Sequence, residues 1–182
     1  NAKKGQRRLD NVPNDILLRT LEKDDLLFLH KLFNNPDIMN YWFSESYMSM
    51  EHLKDSYDKN KDNPRNREFI LTDGDQRLGF VGLFDIEQRH RNAEFAIMID
   101  PVHQGKGYAA AATKLTIDYA FSVLNLHKLY LIVARANEKA KHIYEKVGFQ
   151  VEGVMNEHFF INGEYHDAVT MCMFQRDYWR LS

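Results

Sequence analysis

The sequence predicts a mixed α/β fold, and three observations carry that expectation. Leu26, Leu29, Leu32 and Phe33 recur at helical spacing near the start of the chain. From Arg67 onward the apolar period changes to that of strands, and Asp73-Gly74-Asp75 reads as a turn between two of them. A strand, a glycine-rich turn, a helix, a second strand and a second helix then follow between Asn92 and Val147. This order sets an antiparallel hairpin section ahead of a βαβ-like section.

Taken in order, Ile16-Leu17-Leu18-Arg19 is a short strand, and Thr20 is expected to open the first helix, which Asn34-Asn35-Pro36 stops. A second helix is expected from Met48 to Asn60, with Leu53 and Tyr57 on one face, before Asp62-Asn63-Pro64 breaks it. Phe69-Ile70-Leu71 and Leu78 to Ile86 form a hairpin, and Asn92 to Ile99 is a third strand closed by Asp100-Pro101. Gly107 to Val123 reads as one helix, and Lys128 to Val133 as an apolar strand. Asn137 is placed to cap a helix that runs to Val147 and ends at Gly148. Three late strands are expected, Phe149 to Val154, Glu157 to Ile161 and Ala168 to Phe174, with a tight Asn162-Gly163 turn.

Composition excludes several classes. The 182 residues fit one domain, 15–182, which at that size buries about 70% of its unfolded surface without disulfides or metals. Net charge is −2, so no overall field draws the chain to nucleic acid or to anionic membranes. The single cysteine, Cys172, fits a reducing compartment and reads as a core thiol between Met171 and Met173. No apolar run approaches the roughly 20 residues of a membrane span, and the cytoplasm is the expected location. Lys3 to Arg8 is followed by Leu9-Asp10-Asn11 and not by an apolar run, which is not a signal peptide; residues 1–14 read as a loose, solvated arm. The eight histidines show no metal-ligand spacing, and no metal is expected.

The stretch Ile97-Met98-Ile99-Asp100-Pro101-Val102-His103-Gln104-Gly105-Lys106-Gly107-Tyr108-Ala109 sets a glycine-rich turn between a strand and a helix. Glycines let successive backbone N–H groups face one way, and the helix start adds partial positive charge, so such a turn binds phosphate. A Walker loop is disfavoured because Gly107, not Ser or Thr, follows Lys106. A dinucleotide fingerprint is half met by Gly105, Gly107 and Ala110 but lacks its acidic partner between Asn125 and Tyr130. The pyrophosphate turn of a coenzyme A site and a plain αβ turn remain.

Gln104-Gly105-Lys106-Gly107-Tyr108-Ala109 matches the Gln/Arg-x-x-Gly-x-Gly/Ala signature of the GNAT N-acetyltransferase superfamily, and Asn137 to Phe149 resembles its second conserved stretch. At closer range, Tyr41-Trp42-Phe43, Arg91 to Phe95, Leu124 to Tyr130 and Glu157 to Gly163 resemble the bacterial spermidine/spermine N-acetyltransferases. The likeness covers about residues 16–178. It implies a mixed, largely antiparallel central sheet flanked by helices, acetyl-CoA as co-substrate, and a polyamine as acceptor. It also implies a homo-oligomer, a dodecamer of two hexameric rings.

The resemblance further implies that Tyr144 is the general acid towards the coenzyme A sulfur and that Asn137 bonds the pantetheine arm. Ile97, Met98 and Ile99 would lend backbone groups to that arm, and Gln104 to Ala109 would hold the pyrophosphate. Glu94, with Asp85 as a second charge, is placed to attract an ammonium or take its proton through water. Such enzymes also bind polyamine at a glutamate-rich regulatory site after the Trp-Phe pair. Met39 and Trp42 are kept here, but Ser44, Met48 and His52 stand in that segment and Glu45 is its only carboxylate between 44 and 48. Two rival readings remain: acetylation of another amine, such as a protein N-terminus or an aminoglycoside, and a coenzyme A-binding module without catalysis.

Overall fold

The computed structural model describes residues 16–42 and 44–181. The expected arm, 1–14, and Phe43 lie outside the described residues. Seven strands form one sheet in the order β1-β2-β3-β4-β5-β7-β6, antiparallel except where β4 meets β5. The strands are β1 (Ile16–Thr20), β2 (Arg67–Asp73), β3 (Gln76–Glu87), β4 (Asn92–Ile99), β5 (Lys128–Ala134), β6 (Gln150–Ile161) and β7 (Glu164–Phe174). Helices α1 (Leu26–Phe33), α2 (Pro36–Met39) and α3 (Met50–Asn60) lie on one face; α4 (Tyr108–Asp118) and α5 (Glu138–Val147) lie on the other; α6 (Gln175–Leu181) follows β7.

Period-2 alternation along the strands divides the core in two. Ile70, Phe80 and Met98 face α1–α3, where Leu29, Leu32 and Leu53 cover them. Leu71, Phe95, Leu129 and Leu131 face α4 and α5, where Ala112 and Val147 meet them. Glu94 lies between Ala93 and Phe95 and so belongs to the α1–α3 face.

Several elements depart from the sequence expectation for local reasons. Thr20 does not open a helix, because it pairs with Phe69 in the sheet. The first helical turn begins at Lys23, and the Glu22 N–H donates to Asp25 Oδ2 at 2.9 Å. Pro36 starts a helix as well as ending one: it occupies the first turn of α2, which the Asn35 side chain caps at the Asp37 N–H. The second long helix begins at Met50, not Met48, because Ser49 Oγ accepts the His52 N–H. The expected helix to Val123 ends as a π-helical turn, Tyr119–Val123. The two expected strands from Phe149 to Ile161 are one bent strand. Its register shifts between Met155 and Phe159, where Glu157 has φ +48° and donates its N–H to Asp167. Asn162 and Gly163 both have positive φ, as a two-residue hairpin turn between β6 and β7 demands.

Asp25 is fully buried where β1, α1 and β3 meet. Arg19 binds it with two 2.7 Å hydrogen bonds, and Arg77 Nε adds a third at 2.7 Å. Burial alone would raise its pKa; the hydrogen bonds from Arg19, Arg77 and the Glu22 N–H outweigh that and hold it down at about 2.

Candidate active site

The site grows from a failure of strand pairing. β4 and β5 pair in parallel at Asn92, Ala93 and Glu94, opposite Lys128, Leu129 and Tyr130. Beyond Glu94, β4 stays on β3 as far as Ile99, while beyond Tyr130, β5 stays on β7. The two strands therefore separate and leave a slit through the sheet.

Backbone parity decides which groups line that slit. The Asp100 N–H donates to the Leu78 carbonyl, and Phe80 and Gly82 lie opposite Met98 and Ala96. In an antiparallel ladder this turns the main-chain groups of Ala96, Met98 and Asp100 towards β3. Those of Phe95, Ile97 and Ile99 face the slit. Of the three residues expected to lend backbone to a pantetheine arm, Ile97 and Ile99 are positioned for it. The Met98 backbone belongs to the sheet, and its side chain to the second core.

At the end of β4, Pro101–His103 forms a short 3-10 turn whose start is capped by the buried Asp100 side chain, which accepts the Val102 N–H. Gly105 and Gly107 have φ +78° and +84°, and a Cβ on either would meet nothing within 4 Å. Glycine is needed here for the backbone turn, and the space before it is open to a ligand. Gly107 is the N-cap of α4, and the first helical bond runs from the Ala111 N–H to the Gly107 carbonyl. The N–H groups of Tyr108, Ala109 and Ala110 have no partner within the helix. This donor set, at the positive end of a helix dipole and beside exposed Lys106, fits a pyrophosphate.

Across the slit, Asn137 caps α5 by accepting the Ala140 N–H at 3.1 Å. That bond sets where the helix starts, and the packing of Ala140, Tyr144 and Val147 on the core turns it so that Tyr144 meets Phe95 edge-on at 6.2 Å and Phe149 at 6.0 Å. Phe95 is the first residue of β4 past the last β5 pair, so Tyr144 stands at the head of the slit. Burial pushes its phenol up to about 12, which keeps the proton on oxygen at neutral pH.

On the opposite face, Glu94 is half-buried and has no ion pair among the described residues. Burial, and secondly the Asp85 carboxylate, raise its pKa. Asp85 sits at the irregularity in β3, with φ +50°, exposed and paired to Arg65 at 3.2 Å. Tyr130, directly opposite Glu94 on β5, completes the group; burial, then Glu94 and Asp85, raise its phenol. Sequence reasoning passed over Tyr130, because only the parallel register places it there.

The residues expected to hold regulatory polyamine differ in exposure. Met39 is 3% exposed inside the second core. Glu45 and His52 are exposed. Trp42 is half-buried against Phe33 and Phe80, and its Nε1–H donates to the Ile97 carbonyl at 3.2 Å.

Comparison with known proteins agrees with this geometry. Residues 15–150 match the acetyltransferase (GNAT) domain family. The chain is 49% identical over 165 residues to the spermidine N(1)-acetyltransferase of Escherichia coli strain K12, covering 91% of this chain and 89% of that one. The spermidine N(1)-acetyltransferase of Vibrio cholerae is 46% identical over 166 residues, with 91% and 96% covered. A crystal structure of spermidine N-acetyltransferase from Vibrio cholerae, in complex with CoA and spermine, superposes with a TM-score of 0.90 at 45% identity, covering 92% and 99%. With a slit in a mixed, mostly antiparallel sheet, a glycine turn at its end and this degree of likeness, the chain belongs to the GNAT acetyltransferase family.

Proposed function

We propose that the protein transfers the acetyl group of acetyl-CoA to a nitrogen of spermidine or spermine, giving an N-acetylpolyamine and CoA. Glu94 carries this reading: it is a half-buried carboxylate without a counter-charge among the described residues, at the mouth of a slit whose other face holds Tyr144. A cationic acceptor supplies the missing charge, and a neutral one leaves it unpaid. The named activity of the relatives in Escherichia coli and Vibrio cholerae supports the same acceptor class.

When bound, acetyl-CoA supplies the acetyl group as a thioester, which reacts with an amine without a covalent enzyme intermediate. Glu94 first pairs with the ammonium and then takes its proton, directly or through water, so that the nitrogen lone pair attacks the carbonyl carbon. Tyr144 gives its proton to the sulfur as the carbon–sulfur bond breaks. The unpaired N–H groups of Tyr108, Ala109 and Ala110 hold the pyrophosphate, and Asn137 and the slit-facing backbone of β4 hold the pantetheine arm. Steady-state rates with spermidine, spermine, putrescine and a peptide amine test the proposal. Higher kcat/KM for the polyamines is the expected result; preference for the peptide sinks it.

The same proposal places the reaction in the cytoplasm and in a homo-oligomer of dodecamer size. Val151, Val154, Phe160 and Tyr165, exposed on the β6–β7 hairpin at the sheet edge, support association. Polyamine regulation at the segment after Trp42 would be weak and salt-sensitive, since Ser44, Met48 and His52 leave few carboxylates and one exposed pair contributes only about 0.2–1 kcal/mol. Light scattering and spermine saturation at two salt concentrations check these points: a monomer refutes the assembly, and a sigmoidal curve indifferent to salt refutes the weak regulation.

A further inference from the structure

The free edge of β4 is not left as a bare strand edge. A strand edge offers N–H and C=O groups alternately, and it attracts any other strand. Here both slit-facing carbonyls that follow Phe95 are covered by side chains. Trp42 Nε1–H donates to the Ile97 carbonyl at 3.2 Å, and Gln104 Nε2 donates to the Ile99 carbonyl at 3.2 Å. The Trp42 ring is held by Phe33 at 6.4 Å and Phe80 at 6.0 Å, so its N–H is fixed by packing from the α1–α3 face. The same two positions present a pair of N–H donors, Ile97 and Ile99, spaced two residues apart and without a partner among the described residues.

We infer that Trp42 is a positioning residue for acetyl-CoA: its packed indole N–H holds the Ile97 carbonyl and so fixes the peptide planes of the slit-facing edge, with the Ile97 and Ile99 N–H groups directed at a ligand arm bearing amide carbonyls. The inference deepens the proposed function and rests on its acetyl-CoA half. It moves Trp42 from the polyamine set, where the sequence likeness placed it, to the cofactor strand. Each carbonyl keeps a second lone pair, so the effect of the bond is orientation and not exclusion. Held at Ile97 by a packed ring and at Ile99 by Gln104, the edge presents its N–H donors in one geometry before the pantetheine arm arrives.

The test is calorimetric titration of acetyl-CoA into the wild-type protein and Trp42→Phe, which keeps an aromatic ring on Phe33 and Phe80 and deletes the indole donor. Affinity is expected to fall about three- to tenfold, the size of one neutral hydrogen bond. An unchanged acetyl-CoA affinity, with a raised KM for spermidine instead, overturns the inference. Hydrogen exchange on the wild-type protein decides the matter even if the variant does not fold. The Trp42 indole N–H should be protected without ligand, and acetyl-CoA should add protection at the Ile97 and Ile99 amides but not at Met98. An indole N–H exchanging at the solvent rate, or no gain at Ile97 and Ile99, overturns it. Calorimetry needs no amine, so a failure of the polyamine reading leaves this test intact. A wild-type protein that does not bind acetyl-CoA overturns both.

Discussion

Asp25 and Glu94 are two shielded carboxylates on the same side of one sheet, and they are built in opposite ways. Asp25 is fully buried but meets two guanidinium groups and a backbone N–H, and its pKa is held at about 2. Glu94 is less buried yet meets no cation among the described residues, and the Asp85 carboxylate pushes its pKa the same way that burial does. Satisfied charge makes a joint: Asp25 ties β1, α1 and β3 together. Unsatisfied charge makes a site, because a carboxylate kept short of a partner favours a ligand that brings one.

The comparison predicts that changes at the slit cost rate and changes at the Asp25 corner cost stability. Tyr144→Phe should give the largest effect, a fall in kcat of about 10²- to 10⁴-fold, the usual worth of a general acid. Its melting temperature should stay close to wild type, and an unchanged kcat would remove Tyr144 from the chemistry. Asp25→Asn should cost about 2–3 kcal/mol in denaturant unfolding, below the 3–5 of a fully buried pair because both guanidinium groups are over a third exposed. Its kcat should hold; a loss of rate at full stability would break the division.

The pH dependence follows the same sign. Asp25 is depressed in the fold, so its contribution is complete above the usual 3.8 and is lost as pH falls through about 2. Gly107→Val sharpens the comparison by straddling it. A branched residue at φ +84° costs about 1–2 kcal/mol of stability, and it also disturbs the donors proposed to hold the pyrophosphate. Acetyl-CoA affinity measured on the folded variant should drop, and wild-type affinity would refute the pyrophosphate turn. Asp85→Asn should have the smallest effect. The acid limb of the kcat/KM profile, where Glu94 gains its proton, should move to lower pH because one cause of its raised pKa is gone. A limb that stays in place would remove Glu94 from that titration.

Local signals were read well from the sequence, and pairing between distant segments was not. Gln104 to Ala109 marks the turn because φ-positive glycines leave a visible spacing. Asn137 and Asn162-Gly163 mark a cap and a hairpin for the same kind of reason. Nothing local could place Tyr130 opposite Glu94, since their parallel register is set by how β5 returns to the sheet across 36 positions of chain. The sequence marks Trp42 by its aromatic neighbours but not its hydrogen-bond partner, the Ile97 carbonyl, which is 55 residues away and carries no side-chain signature. Thr20 failed as a helix start because strand pairing with Phe69 outweighed its capping preference. Helix α6 gave no apolar period long enough to announce itself.

The slit also sets the traffic of the reaction. Glu94 faces the α1–α3 side of the sheet and Tyr144 the α4–α5 side, so with the roles proposed for them the two reactants arrive from opposite faces and meet where β4 and β5 part. Neither product then has to leave before the other, and neither reactant has to wait for a departure. A catalyst with two doors works on a ternary complex, and initial rates plotted against one substrate at several levels of the other should give lines that intersect. Parallel lines, the mark of a single door used in turn, would mean that the gap in the sheet is closed on one side.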